Sequence, residues 1–402
     1  MMPVFAAINA GLSSLKFQIF EVSNLAEPRA VFRGVFEGLK ESAQLIVKDR
    51  CGMVCAKLAW GADEGFDHEA ALAHVASWVS EHQARYKLVA VGHRVVHGGH
   101  AFTGPVLVDD HVLKRMEELI PLAPLHQPHN LEPIRAIRRR LPHVPQVACF
   151  DTAFHHDLPQ LSQLFALPKG MTQQGIRRYG FHGLSYEYIA SVLGRHDRSL
   201  ASARVIVAHL GNGASLCALK GGVSVATTMG FSALDGLPMA TRCGALDPGV
   251  IFYMLREMKL DPHEVERILY SASGLLGVSG ISGDMRTLRA LAPTDADARQ
   301  AIDLFIYRIV RETGSLIAAL GGLDAFVFTG GIGENDAATR AEVLSALSWV
   351  GFNIHERSNW GGARRITRGR GPSAWVIPTD EELVIARQMS CVLDAERQRL
   401  AS

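Results

Sequence analysis

In the segment "VGHRVVHGG", Arg94 stands two residues before Val96. Side chains two apart on an extended strand share a face. Arg94 and Val96 therefore point one way, and His93 and His97 share the opposite face. A guanidinium beside a small apolar group can grip a short carboxylate at one end and its alkyl group at the other. The same segment also reads as a strand with one buried arginine paired to an acid. No third ligand stands near the two histidines in a zinc spacing. Further polar residues sit in turn-like sequence: His126 in "LAPLHQPHN", His182 in "RRYGFHGLS" and Arg242 in "MATRCGALDP". The set is rich in cations and short of an obvious general base. A carboxylate that accepts a phosphoryl group is already ionised at neutral pH, so no proton has to be removed. The task is to keep two anions together and neutralise charge growing on the phosphoryl oxygens. Cations without a base suit it.

Three turns can hold phosphates. Asn9-Ala10-Gly11-Leu12-Ser13-Ser14 joins two apolar runs, "HLGNGAS" joins two more, and "FTGGIGEN" (Phe328–Asn335) lies between a strand and a helix. Each offers backbone N–H groups beside glycine together with amides or hydroxyls, and the third adds a helix N-terminus. The third is no dinucleotide fingerprint, because Asp336 occupies the place of the last glycine. Neither G-x-x-x-x-G-K-[ST] nor G-x-S-x-G occurs, which argues against a P-loop protein and a serine hydrolase. Any one of these stretches also reads as an ordinary tight turn. Three in one chain, two of them echoing each other, favour a nucleotide phosphate site.

The elements that must position these residues follow from periodicity. The first third reads as β-rich, with a helix in "HEAALAHVASWVSEHQARY", a strand in "LVAVGHRVVH", helices over Asp109–Leu122 and Asn130–Leu141, and a strand in "QVACFDTA". A second β-rich block starts at Arg204. Ile302, Phe305, Ile306, Ile309 and Val310 form one buried helical face. The strand "AFVFTGG", a helix from Asn335, the strand "WVIPT" and a terminal helix from Glu381 complete the chain. "FAAINAGLSSLKFQIF" and "VIVAHLGNGASLCALK" share one plan: apolar strand, small polar-glycine turn, Ser-Leu, second strand. That echo predicts two similar α/β domains facing each other across a cleft. Their spans are residues 1–150, completed by the C-terminal helix from about 385 to 402, and residues 151–384.

At 402 residues the chain has room for two or three domains. Its net charge of +1 argues against nucleic-acid or membrane-surface binding driven by gross electrostatics. The six cysteines form no C-x-x-C pair or zinc spacing and are expected reduced, mostly in apolar surroundings, in a cytoplasmic protein. The N-terminus lacks the basic region of a signal peptide, and no apolar run spans a membrane.

Ten ordered motifs, "NAGLSSLKFQ", "GHRVVHGG", "APLHQPHN", "FDTAFH", "RRYGFHG", "HLGNGAS", "LPMATRCGALDP", "SGDMR", "FTGGIGEN" and "IPTDEELVIAR", resemble those of the acetate kinases from Val4 to about Arg387. The resemblance implies a duplicated actin-like, sugar-kinase-like (ribonuclease H-like) α/β fold and a homodimer. It also implies reversible, in-line transfer of the γ-phosphoryl of Mg-ATP (or Mn-ATP) to acetate, giving acetyl phosphate and ADP. It makes Arg94, Asp151, His182 and Arg242 the catalytic set. Val96, Leu125, His126, Phe181 and Ala233, with Arg94, become the acyl-substrate residues. Ser14, Lys16, His209, Leu210, Gly211, Asn212, Gly213, Asp284, Met285, Arg286, Gly330, Gly331, Ile332, Gly333 and Asn335 become the ATP residues, and Asn9 and Glu381 the metal-associated pair.

Departures from the family pattern are Leu12 in the first turn, Leu184 and Tyr186 in "GFHGLSY", Ala226, Ala240, and Asp380 beside Glu381. Tyr186 stands where a second histidine is usual. Ala233 replaces a proline of the alkyl pocket, which opens room for propionate. Alternatives to acetate are propionate or another short-chain acid. A nucleotide-binding pseudo-kinase that senses or scaffolds, and an actin-like filament protein, are the readings outside catalysis.

Overall fold

The computed structural model describes residues 1–11, 14–22, 27–39, 42–61, 66–81 and 85–401. Leu12, the odd member of the first turn, lies outside them. The chain divides into two units, Met1–Phe154 with Asp380–Ser402, and His155–Thr379. These breaks fall a few residues from the predicted 150 and 384, so Asp151 and Glu381 both belong to unit 1. The reason is local. The Asp151 N–H bonds the Val95 carbonyl and prolongs the sheet ladder, while Asp380 caps the terminal helix by accepting from the Leu383 N–H.

Unit 1 contains β1 (Met2–Ala10), β2 (Ser14–Glu21), β3 (Arg29–Glu37), β4 (Gln44–Asp49), β5 (Val54–Ala59), β6 (Tyr86–Val95), β7 (Val106–Leu107) and β8 (Gln146–Phe150). They form one sheet in the order β5-β4-β3-β2-β1-β6-β8-β7. Alternation along β1 and β2 sends Val4, Ala6, Ile8, Leu15, Phe17 and Ile19 into a core with Ala71, Leu72 and Val75 of the helix His68–Glu81. The opposite face carries the terminal helix Glu381–Ala401. A Cβ at Gly92 would stand 2.4 Å from Ile385 Cγ2 and from Met389 Sδ. Glycine there lets the helix seat directly on β6. Asn9 and Arg94 lie on neighbouring parallel strands, since Ile8 pairs with His93.

Unit 2 contains β9 (Arg204–Leu210), β10 (Ala214–Lys220), β11 (Val223–Thr227), β12 (Ala325–Thr329) and β13 (Ser373–Val376), ordered β11-β10-β9-β12-β13. Its first strand pairs antiparallel with the second and parallel with β12, as β1 does with β2 and β6. The sequence echo is thus a repeat of topology as well as of composition. Helix Ala296–Leu320 buries Ile302, Phe305, Ile306 and Ile309, with Val310 half-buried.

Several expected elements are re-cut. The helix expected over Asp109–Leu122 is Asp110–Glu117, capped by Asp109, followed by a 3-10 turn at Ile120–Leu122 that holds Pro121. The next starts at Gln127 rather than Asn130, with Pro128 in its first turn, where a missing N–H costs nothing. The strand before them ends at Val95, so Val96 and His97 sit just past it. The "FTGG" turn opens a short helix, Gly330–Asn335, and Asp336 then caps a second, Ala337–Ala346. Cys149 and Cys217 are buried, but Cys51, Cys55 and Cys391 are exposed, contrary to the apolar surroundings expected for most. Among the described residues no helix is long and apolar enough to cross a membrane.

Candidate active site

In unit 1 the end of the β6–β8 ladder brings Asp151 beside Arg94. Arg94 Nε donates to Asp151 Oδ1 and Oδ2, each at 3.1 Å, and Nη2 donates to Oδ2 at 2.6 Å. Its Nη1 donates to Asn9 Oδ1 at 3.1 Å. Asn9 Nδ2 in turn donates to Glu381 Oε2 at 2.8 Å and to Glu382 Oε1 at 3.3 Å. Burial opposes the Arg94 charge, but Asp151, Glu381 and Glu382 outweigh it and hold the guanidinium pKa above its ordinary value. Of the two sequence readings of Arg94, the structure shows the pairing with a buried acid; of its five N–H donors, three bond Asp151 and Asn9.

The carboxylates gather at the N-terminus of the terminal helix, whose dipole favours them. Burial raises the Glu382 carboxyl pKa and Glu381 raises it further, against the pull of Lys16. Arg33 pairs with Asp380 at 2.8 Å, so the aspartate that departs from the family pattern holds β3 to the helix cap. Among the described residues no group of three or more His, Cys, Asp or Glu is arranged to hold a metal. A hard cation such as Mg²⁺ commonly takes one or two carboxylates and completes its shell with water and substrate phosphate. Glu381, steered by the Asn9 amide, fits that pattern as an oxygen donor; Asn9 itself is placed to orient the carboxylate.

Ser14 closes the first turn, its carbonyl accepting from the Gly11 N–H at 2.8 Å, and Lys16 is exposed, opposite Asn9 in the β1–β2 register. Leu125 and His126 are half-buried just ahead of the helix Gln127–Arg140. Asn130, which the sequence analysis does not single out, ties this region together. Its Oδ1 accepts from the Val96 N–H and its Nδ2 donates to the Ala10 carbonyl, both at 2.9 Å. Glu382 is a second such residue, and its place beside Glu381 in "TDEEL" is a signal.

His93, behind Arg94, and His155, in unit 2, are buried neutral. Burial lowers each pKa from 6.5 to about 4, against the bond of His93 to Gln146 and that of His155 to the Phe181 carbonyl. Below 6.5 the unfolded chain binds protons that the folded chain refuses, so each group's contribution is complete above that value and is lost as pH falls toward about 4. Urea unfolding across this window is expected to show stability falling as pH falls. His93→Asn should flatten the slope; an unchanged slope would contradict the assignment.

In unit 2 the glycine turns converge. The Gly211 N–H bonds the Gly213 carbonyl at 3.0 Å, closing the β9–β10 turn. Gly330 has φ of +77°, and a Cβ there would lie 2.8 Å from the Leu210 carbonyl oxygen; one at Gly211 would lie 3.7 Å from the Gly331 nitrogen. The two turns thus abut as bare backbone. A Cβ at Gly213 would stand 2.9 Å from His182 Nε2 and 3.4 Å from Arg242 Nη2. Those two nitrogens therefore overhang the turn.

Each is fixed from behind. His182 occupies the left-handed region (φ +57°) ahead of the helix Gly183–His196, and its Nδ1 bonds Ser215 Oγ at 2.8 Å. Its ring stacks on His209, centroids 4.4 Å apart, whose Nδ1 bonds Ser185 Oγ at 2.8 Å. Arg242 Nη1 donates to the Ala233 carbonyl at 2.7 Å. Gly274, at φ +62°, lets the backbone of Met239 and Arg242 approach where a Cβ would be 2.1 Å from the Met239 oxygen. Phe181 is buried and Ala233 half-buried.

Asn212 is exposed at the turn's tip, its carbonyl accepting from the Ala240 N–H at 3.3 Å. Asp284 caps the helix Met285–Leu291 and forks the exposed Arg286. Arg289 on that helix donates to Asp336, Thr339 and Glu342, which ties the Asp284–Arg286 segment to the helix pair after Gly330. Ile332 and Gly333 lie in the first of that pair, and Asn335 Nδ2 closes it on the Gly331 carbonyl at 2.9 Å. Backbone donors flanked by an imidazole and a guanidinium can bind a polyanion and stabilise charge that grows on it.

Known proteins share this arrangement of sequence and fold. Residues 4–387 match the profile of the acetokinase family. An acetate kinase of Rhodopseudomonas palustris is 49% identical over 404 residues, covering 99% of this chain and 100% of the relative. A solved propionate kinase from Francisella tularensis superposes with a TM-score of 0.88 at 36% identity, over 96% of this chain and 99% of its own. The acetate kinase of Porphyromonas gingivalis gives 0.83 at 34% identity, over 97% and 100%. The duplicated α/β architecture is accordingly the actin-like fold of these kinases, and the chain belongs to the acetokinase family.

Proposed function

We propose that this chain is an ATP:acetate phosphotransferase that moves the γ-phosphoryl of Mg-ATP in line onto acetate, reversibly, giving acetyl phosphate and ADP. The observation that carries the reading is the convergence of His182 Nε2 and Arg242 Nη2 over the bare backbone of Gly213; the relatives named acetate kinase support acetate as the acceptor. The acceptor carboxylate needs no base. Arg94 grips it, held rigid by Asp151, and Val96, Leu125 and His126 are its neighbours in unit 1. Arg242 neutralises charge on the equatorial oxygens during transfer and His182 donates a hydrogen bond to them. The turns at Gly211–Gly213 and Gly330–Gly333 bind the phosphates with His209, Leu210 and Asn212, and Asp284–Arg286 and Asn335 the nucleoside. Ser14 and Lys16 belong to the phosphate turn of unit 1. Mg²⁺ (or Mn²⁺), when bound, neutralises phosphate charge; Glu381 holds it and Asn9 orients Glu381. The cysteines fall in no disulfide-framework or zinc spacing, which supports a cytoplasmic setting.

Ala233 favours one second reading, propionate as the main acceptor. One more buried CH₂ is worth roughly 0.8 kcal/mol, about fourfold in kcat/KM. Acyl phosphate trapped as hydroxamate, with acetate, propionate and butyrate in parallel, decides it: acetate ahead supports the main reading and propionate ahead the second. ATP binding without any acyl phosphate would indicate a pseudo-kinase.

Exposed apolar side chains support a homodimer. The helix Pro248–Arg256 has no buried residue, and Val250, Phe252 and Tyr253 on it are exposed, as are Leu304 and Tyr307. Sedimentation velocity should give twice the chain mass, and Phe252→Glu should lower it; a monomeric parent would contradict the dimer.

A further inference from the structure

Tyr186 departs from the family pattern by replacing a histidine, and the structure gives its hydroxyl a use. Tyr186 is fully buried in the helix Gly183–His196, one turn beyond His182. Its hydroxyl bonds Ser215 Oγ, and the same Oγ bonds His182 Nδ1 at 2.8 Å. Ser215, on β10, is itself fully buried. The three groups form a chain, Tyr186–Ser215–His182, that ends at Nδ1, the ring nitrogen away from Gly213. Ser215 has one proton to give. A phenol is a stronger acid than an alkyl hydroxyl, so the favoured polarity runs from Tyr186 to Ser215 and from Ser215 to Nδ1. Nδ1 is then an acceptor, and the imidazole proton resides on Nε2, the atom 2.9 Å from the Cβ position of Gly213.

We infer that Tyr186 and Ser215 are positioning residues that fix the tautomer and aim of His182, so that an Nε2–H donor faces the glycine turn before substrate arrives. Resting on the phosphotransferase reading, this deepens it: a donor already in place at the developing charge needs no reorganisation during transfer. The tyrosine thus supports the ring through a hydroxyl relay. His209, stacked on His182, is anchored separately through Ser185 and so provides an internal reference.

The test is ¹⁵N spectroscopy of imidazole-labelled full-length protein, with His182 assigned by the signals lost in His182→Asn. The parent is expected to show His182 protonated at Nε2 and not at Nδ1. Tyr186→Phe and Ser215→Ala should mix the tautomers of His182 and leave His209 unchanged. Both should lower kcat about tenfold, equal to roughly 1.4 kcal/mol, with KM for ATP unchanged. Ser215→Thr, which keeps the hydroxyl, should restore both readouts. A parent His182 protonated at Nδ1, or a Tyr186→Phe protein with unaltered tautomer and kcat, would overturn the inference. Should the parent form no acyl phosphate, the phosphotransferase reading fails, while the tautomer measurement still decides the relay.

Discussion

Arg94→Ala is expected to abolish turnover for practical purposes, by about a thousandfold or more, because it removes a charge that acts on the reacting carboxylate. The carboxylate KM should rise more than the KM for ATP, since the phosphate turns of unit 2 are untouched. The same change leaves Asp151, 1% exposed, without the guanidinium that bonds both its oxygens. A broken buried pair costs about 3–5 kcal/mol, mostly from the charge left behind, so the variant should also unfold at lower urea. Arg94→Lys separates the two effects. Lysine returns a charge to Asp151 but cannot reproduce the fork, so stability should recover in part and turnover should not. An unchanged KM for the carboxylate in Arg94→Ala would remove Arg94 from the acyl site.

Gly213→Val is the counterpart in unit 2. Gly213 is not among the positive-φ glycines, so its backbone accepts a side chain without strain. What a side chain does is occupy space: its Cβ alone would stand 2.9 Å from His182 Nε2, and the valine methyls would push further toward His182 and Arg242. Displacement of a catalytic group by about 1 Å costs on the order of a hundredfold. The expected result is a loss of kcat/KM for ATP of that size or larger, with the unfolding midpoint nearly unchanged. Gly314→Ala, where an added Cβ meets nothing within 4 Å, is the control that should keep full activity. Full activity in Gly213→Val would show that the overhang of His182 and Arg242 has no part in catalysis.

What the sequence carries and what it omits divide along a physical line. The two hairpins, the glycine turns and the helical stripe at Ile302–Ile309 are local patterns, and each is legible as periodicity or turn chemistry. Arg94 is legible too, but not its partner: Asp151 lies 57 positions away and arrives only through the parallel register of β6 with β8. The return of the terminal helix to unit 1 is expected from the sequence, but only from about residue 385; the first turn, which brings Glu381 and Glu382 to Asn9, falls outside that expectation. Ser215 is legible in "GNGAS" only as a turn hydroxyl, because its bond to His182 is made between β10 and the start of another helix. Tyr186 reads in sequence as a lost histidine; only packing reveals a hydroxyl aimed at Ser215.

Phosphoryl transfer to acetate can be followed by ³¹P NMR of the enzyme with Mg-ATP and acetate. Acetyl phosphate and ADP are expected in equal amounts, with no inorganic phosphate ahead of them. ADP accompanied by inorganic phosphate alone, or ATP bound and unchanged, would contradict it.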